Sequence, residues 1–99
     1  MRQKIKIGPY NWTFIDNSSK TGRDNLGLCE YSKLLILISN KIPPDVKKVT
    51  ILHELLHAFF DSSGLQPKDE ENIVDTLANQ LLLFIQNNPE FFKKYILDE

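Results

Sequence analysis

The chain contains two histidines, His53 and His57, four residues apart, and Glu54 directly follows the first, giving the pattern H-E-x-x-H. On an α-helix, residues four apart lie one above the other, about 5.4 Å along the axis, so two imidazoles in this register can reach a single cation. Glu54 is displaced from His53 by about 100° around the helix, toward the open position of such a cation, where a carboxylate serves as general base for a water. The competing reading is a pair of core histidines met by accident. Against it, Glu54 is the sole carboxylate between Thr50 and Phe60, in a segment apolar on most sides, and an ionisable group there is costly without a partner or a task.

A hydrolytic zinc site takes three protein ligands and leaves the fourth position to water. Both histidines are already used, so the third ligand must be a carboxylate. Phe60 and Ser63 stand where the longer metzincin pattern needs glycine and a third histidine, which excludes that arrangement. Asp61 lies on the histidine stripe but two helical turns beyond His53, too far to converge with it. Glu71 is better placed, because Gly64 and Pro67 allow a following helix to fold back and present its first turn. Asp75, four residues on, shares its face and is expected to accept the remaining ring N–H of a ligating histidine. Asp69 and Glu70 read as a solvated acidic helix start.

The elements that must position these residues change character near Pro43 and Pro44. Before them, Lys4 to Ile7 alternates and is followed by a Gly8-Pro9 turn, then a strand with Tyr10, Trp12 and Phe14 on one face. Asp16 to Asn25 reads as a mobile surface loop. Leu26 to Glu30 and Leu34 to Ser39 read as two strands around a turn at Tyr31 to Lys33. Pro44 and Asp45 suit a helix start, and the helix should run to about Ser63, ended by Gly64. A second helix is expected from Lys68 or Asp69 to about Gln86, with Ala78 allowing close approach to the first. A third, short helix is capped by Asn88 and begun by Pro89, and its Phe91, Phe92, Tyr95 and Ile96 should pack as core. The expectation is an α+β fold, a small antiparallel or mixed sheet of three to four strands followed by three helices, in one domain over residues 1–99.

His53 to His57, followed downstream by Glu71-Asn72-Ile73-Val74-Asp75, resembles the gluzincins, whose pattern is H-E-x-x-H then E-x-x-x-D. More narrowly the chain is similar to the small ImmA/IrrE-type metallopeptidases of phages and mobile elements, with Glu71, Asp75, Leu77, Ala78, Leu81 and Leu82 in register. The similarity spans Leu34 to Leu82. Leu56 and Val74 depart from it, standing where those proteins usually have glycine and alanine. The resemblance implies a zincin-like fold, one Zn2+ per chain and hydrolysis of a peptide bond in a protein or peptide substrate. Leu34 to Ser39 would be either the edge strand to which an extended substrate adds or an internal strand. Tyr10 and Tyr31 are both candidates to assist the oxyanion.

Composition narrows the alternatives. With 41% hydrophobic and 25% charged residues and a net charge of −1, the chain is that of an ordinary globular protein. It has no basic excess for nucleic acid, and Lys47 and Lys48 read as a solvated face. No stretch approaches the roughly 20 apolar residues of a membrane span, and no signal segment is recognisable, so a cytoplasmic setting is expected. Cys29, the only cysteine, reads as a small buried hydrophobe. The rival to a peptidase is a catalytically silent zinc-binding domain acting as a protein-interaction module. A purely structural zinc site is a third option, but it would favour four closed protein ligands and has no need of Glu54.

Overall fold

A computed structural model describes residues 2–22 and 25–98. Four strands come first, β1 (Arg2–Ile7), β2 (Tyr10–Ser18), β3 (Gly27–Glu30) and β4 (Leu35–Ser39), then three helices, α1 (Pro44–Ser63), α2 (Glu70–Asn87) and α3 (Pro89–Tyr95). The fold is α+β with one mixed sheet in the order β1-β2-β4-β3. β1 pairs antiparallel to β2, β2 parallel to β4, and β4 antiparallel to β3. No helix among the described residues is long and apolar enough to cross a membrane.

Local chemistry accounts for most of these boundaries. The two-residue Gly8-Pro9 loop joins β1 to β2, with Gly8 at φ +58°, which glycine adopts without a Cβ clash. Between β3 and β4 a single 3-10 turn spans Tyr31–Lys33. Pro44 opens α1, and Gly64 at φ +79° closes it in the left-handed conformation.

Two hydrophobic clusters hold the layers together. Trp12, Ile36, Ile38 and Ala58 are fully buried between the sheet and α1, with Ile7, Ile51 and Leu55 packed around them. On its other flank α1 presents Leu56, Leu52 and Phe60 to Val74 and Ala78 of α2, both completely buried. The small Ala78 side chain therefore does allow the close helix approach that its place in the sequence suggested. The remaining stripe of α1 holds Thr50, His53, Glu54, His57 and Asp61, which face neither cluster and line a cleft.

Several expectations are corrected. Of the two readings left open for Leu34 to Ser39 the internal one holds, since Leu35–Ser39 is hydrogen-bonded on both sides and the open edge beside α1 belongs to β3. Asp16 to Ser18 belong to β2 rather than to a loop, and Lys47 is not merely solvated, since its Nζ lies 2.6 Å from Asp16 Oδ2 and ties α1 to the sheet. Arg23 and Asp24, within the expected loop, lie outside the described residues. Asn88 holds the N-cap position of α3 as expected, but its side chain makes no cap hydrogen bond there; its amide donates to the Phe84 carbonyl at the end of α2 instead. Finally, α3 is not core. Phe91, Tyr95 and Ile96 are 49%, 62% and 60% exposed and only Phe92 of the four is partly buried, because among the described residues α3 packs chiefly on α2.

Candidate metal centre

His53, Glu54 and His57 enter the cleft from the middle of α1, and the first turn of α2 meets them from the opposite wall. The backbone of β3 closes the third side, giving an open cleft of about 680 Å³. Gly64 makes this arrangement possible by turning the chain at the end of α1, so that α2 returns antiparallel along it.

The two histidine Nε2 atoms face each other at 3.2 Å. Glu71 sits over both, with Oε1 2.7 Å from His53 Nε2 and Oε2 3.1 Å from His57 Nε2. Ligand atoms held about 2.0–2.1 Å from a tetrahedral zinc lie about 3.3 Å from one another, close to the spacing of this group. His53, His57 and Glu71 are also the residues among those described whose side chains form a group able to hold a metal ion.

The ring nitrogens on the far sides are partnered. His53 Nδ1 lies 2.9 Å from Asp75 Oδ1, so the structure brings Asp75 to the ring nitrogen on the far side from Glu71. His57 Nδ1 lies 2.5 Å from Glu70 Oε2, a partner that the sequence did not single out. With each Nδ1–H donated to a carboxylate, both rings are held in the tautomer whose Nε2 lone pair points inward. Two ring lone pairs and the Glu71 carboxylate, all acceptors, then converge on one point and would repel one another without a cation among them. This donor set, two imidazoles and a carboxylate, is the kind that borderline metals such as zinc prefer. The residues therefore fit the ion that the motif implies.

Electrostatics agree in sign. Burial alone would lower the His57 pKa, but the hydrogen bond to Glu70 and the charges of Glu71, Glu54 and Glu70 outweigh it and raise the value. The site favours positive charge. Glu54, only 7% exposed, has its carboxyl raised above the ordinary range by burial, with a further push from Glu71 and partial relief from His53 and His57. A carboxylate so placed is a stronger base than one in water.

Glu54 is buried because β3 comes against it. A Cβ added at Gly27 would stand 2.9 Å from both Glu54 Cγ and Oε2, and 3.1 Å from Thr50 Cγ2. The missing side chain of Gly27 thus makes room for the carboxylate, a contact between strand and helix that no spacing in the sequence announces. Beyond His57, Asp61 and Cys29 form the far wall, with the thiol 4.0 Å from Asp61 Oδ2. Burial and the charges of Asp61, Glu54 and Glu70 push the Cys29 thiol up to about 12. Asp61 lies outside the ligand group, as its spacing suggested. Neither Tyr10 nor Tyr31 lines the cleft.

Glu70 is the residue that sequence reasoning passed over. An acidic residue in the first turn of a helix is accounted for by the macrodipole alone, and nothing local separates Glu70 from Asp69. The difference arises from the fold, since Glu70 meets His57 while Asp69 accepts a hydrogen bond from the Asn72 side chain. Compared with known proteins, the chain matches no family model, no curated protein and no solved structure.

Proposed function

We propose that this chain is a zinc-dependent metallopeptidase of zincin-like, minimal gluzincin type, acting in the cytoplasm on a peptide bond of a protein substrate. The observation that carries the reading is the convergence of His53 Nε2, His57 Nε2 and Glu71 on one point beside the buried Glu54 carboxylate. His53, His57 and Glu71 would hold the ion, which when bound supplies a Lewis acid for the carbonyl and lowers the pKa of a water to about 7.

The chain's own residues supply the rest. Glu54, with its basicity raised by burial, takes a proton on its carboxylate from the attacking water and hands it to the leaving amine. Asp75 and Glu70 hold the two rings in position through their Nδ1 atoms. The free edge of β3 along the cleft supports the view that an extended segment of substrate is held by backbone hydrogen bonds there, rather than on the internal Leu35–Ser39 strand.

Hydrolysis of an unfolded protein by the purified chain, its loss with a chelator and its return with Zn2+ form the test. Glu54→Gln should retain one zinc per chain and lose activity by roughly 10² to 10⁴, the usual contribution of a positioned base. Equal cleavage by wild type and Glu54→Gln defeats the mechanism. A chain that binds zinc and a protein target, with no turnover in either form, is the silent interaction module instead.

A further inference from the structure

On α2 the residues Ile73, Leu77, Leu81 and Phe84 are four, four and three positions apart, so they share one side of the helix. The stripe borders the side buried against α1, which holds Val74 and Ala78, Leu81 lying one turn beyond Ala78. All four are exposed, from 37% at Ile73 to 44% at Phe84. The stripe continues onto α3, because the Phe91 ring meets Phe84 edge-on at 5.8 Å and Tyr95 lies 5.1 Å beyond Phe91.

With Ile96 and Leu97 beside it, the stripe exposes on the order of 700 Å² per copy, taking about 150–250 Å² for a large side chain and the fractions observed. That exceeds the roughly 300–600 Å² of the largest apolar patch on a typical monomer and approaches the about 800 Å² that each partner contributes to a standard interface.

We infer that the α2–α3 arm is the interface of a two-fold homodimer, formed when the Ile73–Tyr95 stripe packs against the same stripe of a second copy. The charge pattern favours a second copy over a different protein. From Thr76 to Asn88 no residue is charged, so the stripe offers nothing for a charged partner to recognise and no like charge to oppose its own image. The charges that flank it on α3, Glu90 with Lys93 and Lys94, carry both signs, and a two-fold axis can bring Glu90 of each copy toward the lysines of the other. On α2 the cleft is lined by Glu70, Glu71, Asp75, Ala78 and Asn79, none of which is a member of the stripe.

Light scattering on the full chain at about 100 μM tests this, a concentration above the micromolar Kd that an interface of this size supports at its weakest. Twice the monomer mass is expected for wild type. Leu81→Glu, at a side chain 40% exposed, should return the monomer mass, whereas Leu83→Glu, at one 52% exposed but on the side of α2 that holds Asn72, Thr76 and Asn79, should remain dimeric. Tyr95→Arg, at a side chain 62% exposed, guards against a folding defect and should also give monomers with an unchanged circular dichroism spectrum. A monomeric wild-type protein overturns the inference, and so does a dimer that survives both Leu81→Glu and Tyr95→Arg. A wild-type chain that stays monomeric but inserts into phosphatidylcholine vesicles overturns it too and reassigns the stripe to a lipid surface.

Discussion

Glu70 Oε2 lies 2.5 Å from His57 Nδ1, while Glu71, the next residue, turns both carboxylate oxygens toward the two Nε2 atoms. Adjacent residues of one helical turn thus do different work. One carboxylate orients a ring from behind, and the other faces the point on which both rings converge.

Removing the orienting carboxylates should therefore weaken metal binding without abolishing it. Glu70→Ala and Asp75→Ala are each expected to lower zinc affinity 10- to 100-fold, the usual cost of losing the partner of a ligating histidine. Competition with a chromogenic chelator measures this. An unchanged affinity in Glu70→Ala alone would reduce Glu70 to a helix-start charge and leave only His53 oriented from behind.

The Glu54 carboxyl gives a pH-dependent signature in the metal-free protein. Its folded pKa is raised above the unfolded value near 4.5, so the folded state holds its proton longer and loses stability as pH climbs from 4.5 through the folded value. Glu54→Gln imitates the protonated form. It should melt at a higher temperature than wild type above that window, by roughly 4–8 °C for each kcal/mol relieved, and the difference should vanish below pH 4.5. A lower melting temperature for the variant at pH 7 would mean that the charge makes a contact the fold requires. Stabilisation in this variant together with loss of the proposed hydrolysis would be the pattern expected of a functional group held in an unfavourable environment.

Gly27→Ala probes the strand that covers Glu54. The added Cβ, 2.9 Å from Glu54 Cγ and Oε2, must displace the carboxylate or push β3 outward. A loss of about 1–3 kcal/mol is expected in urea unfolding, as for other overpacked sites. Zinc content should persist, because the atoms nearest the added Cβ belong to Glu54 and Thr50 and not to His53, His57 or Glu71. Hydrolysis should fall, and wild-type activity in this variant would show that Glu54 need not occupy its present position.

Cys29 should be nearly inert. A thiol pushed up to about 12 is ionised at pH 8 to only about one part in 10⁴, so alkylation should be roughly 10³-fold slower than for a free cysteine. Mass spectrometry after iodoacetamide treatment, with and without urea, checks this. Rapid labelling of the folded protein would contradict the negatively charged surroundings that β3 and α1 give the thiol, which is half-buried at the cleft wall rather than buried as its sequence context suggested.

The parts of this protein legible in its sequence are those that depend on neighbours along the chain. The α1 boundaries at Pro44 and Ser63 follow from a proline that needs no N–H partner and a glycine that accepts positive φ. The approach of His53 to His57 follows from helical periodicity, and so does the shared face of Glu71 and Asp75. Even the return of α2 onto α1 was readable, from Ala78 and the turn residues before Glu70.

Contacts between elements distant in sequence were decided only when the chain folded. Whether Leu35–Ser39 is an edge or an internal strand depends on which side β3 takes, and β3 pairs there antiparallel, leaving its own edge beside the cleft. Glu70 differs from Asp69 only because the first turn of α2 lands where His57 Nδ1 is in reach. The Gly27 backbone buries Glu54 through a strand-to-helix approach that carries no periodic signal. The aromatic residues of α3 have the hydrophobicity of core, yet burial requires a surface to cover them, and among the described residues α2 is the main one that α3 meets.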